Sequence, residues 1–171
     1  MLANIISLSR VLIGIIIIAY YPVLSTNVLA SLIFVGLATD MFDGMFARYW
    51  QDASGLGKLI DPLCDALFVL CLMYCAVIYK DLPIWFVMLT IIRYFIITIM
   101  SIRLMLIIKQ PVGVNFLGKI SVCSLFAVLT LYHLLPMTPL LPALLMVCSA
   151  IMVFSLIAYI ERIIRLQSAE V

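Results

Sequence analysis

The sequence predicts an all-α membrane protein: six transmembrane helices in one bundle, with both termini on the cytoplasmic side. Three observations lead there. Of 171 residues, 67% are apolar and only 11% charged, and the mean hydropathy is +1.33. A soluble core of this size cannot hide that much apolar surface, which excludes a soluble globular domain. The apolar residues fall into six stretches parted by short polar or proline-bearing turns. Lys and Arg collect on one side of those stretches, and that side is the cytoplasmic one.

The chain opens with a mixed lead from Met1 to Arg10, in which Asn4, Ser7 and Arg10 lie three apart and can share one helix face. The first span runs from Ile6 to Tyr21 and ends at the aromatic boundary Tyr20-Tyr21-Pro22. Arg10 followed by Val11 to Ala19 is similar to a signal peptide. Apolar character nevertheless resumes after Ser25-Thr26-Asn27, which favours an uncleaved first helix. Asn27 is placed to cap the second span, Val28 to Tyr49. No residue from Val11 to Thr39 is charged. Gln51 to Gly55 forms a polar loop, and the third span follows from Leu56 to Tyr79. Lys80-Asp81-Leu82-Pro83 turns the chain into the fourth span, Ile84 to Ile108, which carries Arg93 and Arg103. Pro111 and Gly113 break it. The fifth span, Phe116 to Leu134, leads to an uncharged turn marked by Pro136, Pro139 and Pro142. The sixth runs from Leu140 to Ile160 and ends in the charged segment Glu161 to Arg165. There is no internal repeat and no low-complexity tract, so residues 1–171 are expected to form one membrane domain.

Six spans alternate the turns between two sides. Arg10, Arg48, Lys58, Lys109, Lys119, Arg162 and Arg165 fall on one, and Lys80 alone on the other. The five cysteines, Cys64, Cys71, Cys75, Cys123 and Cys148, contain no CxxC pair and read as small buried apolar residues. His133 stands alone near the uncharged turn and is not expected to be catalytic. The charge pattern offers no surface for nucleic acid.

The chemistry concentrates between Asp40 and Asp65. Asp40, Asp43, Asp61 and Asp65 are four of the protein's six aspartates. One charged side chain at the middle of a membrane helix costs about 2.5–3.5 kcal/mol on insertion scales. Four mutually repelling carboxylates therefore call for a compensating cation. Asp40 and Asp43 are three apart near the end of the second span, and Asp61 and Asp65 four apart near the start of the third. Each pair can share a helix face, and an antiparallel hairpin would bring the pairs level. Oxygen-only ligands of this charge suit Mg²⁺ or Mn²⁺, with room for two ions. Gly36, Gly44 and Ala47 follow the aspartate face, Gly57 lies one turn before Asp61, and Arg48 can pair with a phosphate. Together they describe a pocket for a metal-bound diphosphate.

The order D-x2-D-G-x2-A-R-x8-G-x3-D-x3-D resembles the signature of the CDP-alcohol phosphatidyltransferases. All eight fixed positions are present: Asp40, Asp43, Gly44, Ala47, Arg48, Gly57, Asp61 and Asp65. Ala3 to Arg10 is also similar to the family's PNxLTxxR-like lead, with Ala3 and Ser7 in place of Pro and Thr. The resemblance implies transfer of a phosphatidyl group from CDP-diacylglycerol to an alcohol, with release of CMP. It implies two divalent metals on the four aspartates and Asp65 as general base. It assigns Gly44, Ala47, Arg48 and Gly57, with Asn4 and Ser7 of the lead, to the CDP-lipid. Homodimers are common in such families, and a prokaryotic inner membrane is the expected location.

The acceptor is expected to be phosphorylated, with Arg93, Arg103 and Lys119 as its cations, and glycerol 3-phosphate is the leading candidate. Asp61-Pro62-Leu63-Cys64-Asp65 looks like the DPLAD segment of phosphatidylglycerophosphate synthases and related cardiolipin synthases. Three positions differ. Ala66 stands where those enzymes carry Lys, Tyr94 where they carry an acid, and Gly118 to Val122 lacks the second Lys and the Thr of GKxKT. Phosphatidylglycerol, inositol phosphate, inositol and serine stay open as acceptors. A cation transporter or channel would use the same acids, but it calls for carboxylates nearer mid-membrane and polar stripes on several helices.

Overall fold

Six helices carry the chain in the computed structural model: α1 (Leu2–Tyr20), α2 (Thr26–Trp50), α3 (Gly57–Lys80), α4 (Ile84–Ile108), α5 (Phe116–Leu134) and α6 (Leu140–Ser168). The structure describes the backbone of residues 2–50, 57–108, 116–136 and 138–168, and the side chains of 8–39, 63–100, 116–136 and 138–164. No strand occurs among the described residues. The fourth and fifth helices keep the bounds expected from sequence. The others differ: α1 runs Leu2–Tyr20 rather than from Ile6 to Tyr21, the end of α2 and both ends of α3 move by one residue, and two further shifts have a visible reason. α2 begins at Thr26, with Leu29 N–H donating to Ser25 O at 3.0 Å, so Asn27 lies inside the first turn and does not cap it. α6 continues past Ile160 to Ser168, because nothing in Glu161 to Arg165 breaks a helix. Pro142 sits in its first turn, where a missing N–H is tolerated.

α3, α5 and α6 contain stretches long and apolar enough to cross a membrane: Leu63–Lys80, Phe116–Leu134 and Leu140–Ile164. The other helices carry the shorter apolar stretches Leu8–Tyr20, Thr26–Thr39 and Ile84–Met100. Large apolar side chains face outward along them, Phe34 at 71% exposure among them, with Phe95, Met146 and Phe154 alike. In water such a surface would drive association; in lipid it is the ordinary exterior of a membrane protein. Cys123 shares that outward surface on α5, so it is exposed rather than buried as the sequence suggested, while Cys64, Cys75 and Cys148 are buried.

The chain divides into two compact units. Met1–Leu82 with Tyr132–Leu135 makes the first, and Pro83–Leu131 with Pro136–Val171 the second. In the first unit α1 packs on both α2 and α3. Contacts along the α1–α3 seam keep step: Arg10 meets Asp65, Gly14 faces Cys71, and Tyr21 stacks on Tyr79 at 4.6 Å. The two helices therefore run parallel. α2 joins the end of α1 to the start of α3, so it runs the opposite way. Ile17, Ile33, Phe68, Val69, Leu72 and Ala76 fill the space between them.

Two glycines set how closely these helices approach. A Cβ on Gly14 would lie 3.0 Å from Cys71 Sγ, and one on Gly36 would lie 2.5 Å from the tip of the Phe68 ring. Gly36 is thus a packing residue under Phe68. The expectation that it clears space beside the aspartates is corrected by that ring.

The far end of the unit is closed by neutral polar groups. His133 Nε2 lies 3.1 Å from Leu72 O, and Nδ1 lies 2.8 Å from the Tyr21 hydroxyl. A carbonyl only accepts, so Nε2 carries the proton, Nδ1 accepts and Tyr21 donates. His133 is buried and satisfied, which gives it a structural task. Asp81, in the left-handed region at φ 51°, ends α3 beside Leu82 N–H, which donates to Ala76 O.

In the second unit α4 packs on α6, and Phe86, Leu125, Leu129, Leu145 and Met152 form its interior. Arg93 of α4, Ser121 of α5 and Ser155 of α6 make a buried polar cluster inside it. Arg93 Nη2 donates to Ser121 Oγ, and Ser121 Oγ donates to Ser155 Oγ at 3.3 Å.

Gly36→Ala tests the packing reading. The helical preference of Ala gains about 0.5–1 kcal/mol, and overpacking against a buried ring costs about 1–3 kcal/mol. A net loss of stability on the order of 1 kcal/mol is expected by SDS titration in mixed micelles, with Phe68→Leu in the same chain restoring part of it.

Candidate metal and phosphate site at the helix ends

The helix directions bring the sequence's functional stretches to one end of the first unit. That end holds the start of α1 with Asn4 and Ser7, and the last turns of α2 with Asp40, Asp43, Gly44, Ala47 and Arg48. It also holds the first turns of α3 with Gly57, Asp61 and Asp65. The Gly36–Phe68 contact ties the levels together. Asp40 lies four residues beyond Gly36 toward the loop, and Asp65 three residues before Phe68 toward the same loop. The antiparallel hairpin expected from spacing is therefore present in the backbone. Apart from Asp65, the side chains of the residues named at this end lie outside the described ones, as does that of Arg103.

Asp65 is described, and it has a partner the sequence did not reveal. Arg10 Nη1 donates to Asp65 Oδ1 in an ion pair joining α1 to α3. The pair is asymmetric: the Arg10 side chain is 2% exposed, whereas that of Asp65 is 32% exposed. The cation lies behind the carboxylate, and the carboxylate faces outward. The signal that could have found Arg10 is its isolation. It is the single charged residue among the first 39, and a lone guanidinium in an apolar helix needs an acidic or polar partner.

The donor set at this end fits a hard divalent cation. The sequence supplies carboxylates from two helix ends, and the described member, Asp65, is part-exposed rather than sealed away. Among the described side chains no group of three or more His, Cys, Asp or Glu gathers, and three of the four aspartates fall outside that set.

The cations expected to serve the acceptor belong to the second unit. Lys119 is exposed in the first turn of α5. Arg93 is buried, at 3% exposure, and among the described residues its Nε and Nη1 have no hydrogen-bond partner. Its hydrogen-bond partner among the described residues is not a carboxylate. Ser121 takes that place, with the Tyr94 ring 5.7 Å from the guanidinium carbon. Ser121 and Ser155 are the polar residues that sequence reasoning passed over. Ser155 lies in an otherwise apolar run, and Ser121 belongs to the segment that departs from GKxKT.

Compared with known families, residues 1–160 match the CDP-alcohol phosphatidyltransferases, and the chain belongs to that family. Among individual relatives, it is 33% identical over 87 residues to a cardiolipin synthase (CMP-forming) of Streptomyces coelicolor, covering 51% of this chain and 40% of that protein. It is 36% identical over 92 residues to the CDP-diacylglycerol–glycerol-3-phosphate 3-phosphatidyltransferase of Bacillus subtilis, covering 53% and 47%. The protein of the same name from Aquifex aeolicus is 40% identical over 67 residues, covering 38% and 36%. The chain thus spans less than half the length of each of these relatives.

The ion pair makes Asp65 a structural residue as well as a candidate base. Asp65→Ala takes the carboxylate from a buried guanidinium and is expected to destabilise the protein by on the order of 3 kcal/mol. Asp65→Asn keeps an acceptor oxygen for Arg10 and is expected to cost less than half of that by SDS titration. Equal losses in the two variants would separate Arg10 from Asp65 in solution.

Proposed function

We propose that this protein is an enzyme that transfers the phosphatidyl group of CDP-diacylglycerol to glycerol 3-phosphate and releases CMP. The observation that carries this function is the complete eight-position signature laid across the end of α2 and the start of α3, where the helices converge. The Bacillus and Aquifex relatives bear names with glycerol 3-phosphate as acceptor, which supports that choice.

Asp40, Asp43, Asp61 and Asp65 would hold Mg²⁺ or Mn²⁺. Bound there, such ions neutralise the diphosphate of the CDP-lipid and the charge that develops on CMP. The small residues Gly44, Ala47 and Gly57 leave room for the nucleotide, and Arg48 meets its phosphate. Asn4 and Ser7 add hydrogen-bonding groups from α1. Asp65 accepts the proton of the acceptor hydroxyl as the oxygen attacks the phosphorus that bears diacylglycerol. The bond from that phosphorus to the CMP oxygen breaks, and the lipid keeps its phosphate. Apolar helices around the site hold water away from the activated lipid.

Arg93, Arg103 and Lys119 receive the phosphate of the acceptor. Arg93 supports this best, because two of its nitrogens are buried without hydrogen-bond partners among the described residues. A structural guanidinium would be expected to have them satisfied. The asymmetry of Lys and Arg supports a site that faces the cytoplasm of a prokaryotic inner membrane, with both termini on that side. One membrane domain over 1–171, working as a homodimer, completes the proposal.

The test is CMP release from CDP-diacylglycerol by purified protein in Mg²⁺ or Mn²⁺. Glycerol 3-phosphate, phosphatidylglycerol, inositol phosphate, inositol and serine are compared as acceptors. Release that needs the metal and rises with glycerol 3-phosphate is expected; stimulation by another acceptor alone would reassign the alcohol. Metal-dependent cation flux without CMP release would instead favour a transporter. Arg93→Met is expected to raise KM for a phosphorylated acceptor by about tenfold or more, with KM for CDP-diacylglycerol held. An unchanged acceptor KM would remove Arg93 from that task.

A further inference from the structure

The Arg10–Asp65 pair lies outside the eight-position signature, and its geometry says how it can act. Arg10 is 2% exposed, and its charge is engaged by the Asp65 carboxylate rather than left to neutral groups. It can act on the reaction through Asp65, the carboxylate it holds. Its contact is with Oδ1, which leaves Oδ2 of a half-exposed carboxylate outside the pair. The seam that delivers Arg10 is set close by Gly14, one turn further along α1, where a Cβ would press on Cys71. The Tyr21–Tyr79 stack holds the same seam at its other end.

We propose that Arg10 is a positioning residue for phosphatidyl transfer, whose guanidinium fixes the orientation of the Asp65 carboxylate through Oδ1 and so presents Oδ2 to the acceptor hydroxyl. The proposal rests on the transferase function proposed above. An aspartate alone rotates about its terminal torsion with little hindrance. Proton acceptance in the transition state requires one oxygen within hydrogen-bond reach of the hydroxyl, and misplacement of a reacting group is costly in rate. A guanidinium suits this task better than an ammonium, because its planar fork sets a direction and not only a charge.

The experiment measures CMP release and Mn²⁺ binding, the latter by electron paramagnetic resonance of free Mn²⁺, on the full chain in detergent micelles. Wild type, Arg10→Met and Arg10→Lys are compared. Arg10→Met is expected to lower kcat by about tenfold or more, with KM for CDP-diacylglycerol within about threefold and Mn²⁺ binding kept. Arg10→Lys is expected to fall between Arg10→Met and wild type, since it keeps the charge and loses the fork. Wild-type kcat in Arg10→Met overturns the proposal, as does a loss of kcat that comes only with parallel loss of Mn²⁺ and CDP-diacylglycerol binding. If Arg10→Met does not fold, Arg10→Lys decides: lowered kcat with KM and Mn²⁺ binding held carries the proposal, and unchanged kcat overturns it. A wild-type protein that releases no CMP with any acceptor sinks the transferase function itself. Wild-type turnover with unaffected variants sinks only the role of Arg10.

Discussion

A single buried cation constrains the first unit. Arg10 is the one charge carried by α1, and it lies where water does not reach it. An unpaired guanidinium there would be too costly for α1 to pack as it does, so α1 must bring Arg10 to a carboxylate. Asp65 supplies it, and the choice fixes the register of α1 on α3. The rest of the seam obeys that register: Gly14 falls opposite Cys71, and Tyr21 falls on Tyr79. With α1 and α3 parallel, α2 has one way to connect them. That direction carries Asp40 and Asp43 to the end where Asp61 and Asp65 begin α3. The gathering of these four positions at one end of the backbone is thus a consequence of topology.

The second unit treats its buried cation differently. Among the described residues Arg93 has hydroxyls for neighbours, Ser121 and Ser155, and keeps two nitrogens without partners. Hydroxyl oxygens offset part of the cost of burying a guanidinium but leave its charge uncompensated. The contrast with Arg10 is informative. A cation whose carboxylate is built into the fold serves the fold and the carboxylate; a cation held by neutral groups stays available to an anion from outside. The two arginines look alike in sequence, each a lone positive charge in an apolar run, and only their partners distinguish them.

Much of the fold was legible because the hydrophobic pattern and the turn residues agree. Lys80 to Pro83 and Pro111 to Gly113 bracket α4 between breakers, which is why Ile84 and Ile108 could be named as its ends. Where the structure departs, a local rule lost to a neighbour. Asn27 had the right side chain for a cap, but Ser25 stands nearer the turn from Tyr20. Gly36 fitted the small-residue face beside the aspartates, yet the Phe68 ring, 32 residues away in sequence, claims the space. The backbone positions of the acids, at the end of α2 and the start of α3, were legible through spacing and turn residues. Arg10 and Ser121 were not. Their partners sit 55 and 28 residues distant, and a spacing rule reaches only one or two turns along its own helix.

The two ends of the first unit show why the chemistry sits where it does. At one end Tyr21, His133 and the Leu72 carbonyl exchange neutral hydrogen bonds, and each donor meets an acceptor. At the other end the described groups are charged and unequal: Asp65 is part-exposed, and Arg10, tied to one of its oxygens, is buried. A phosphoryl transfer needs such an imbalance, because cations and a diphosphate must be gathered from solution and CMP let go again. It also needs that imbalance held on rigid elements, since a carboxylate free to turn would spend most of its time misdirected. The satisfied end and the close-packed seam supply the rigidity, and the acidic end, tied to them through Arg10, is where that rigidity can be used.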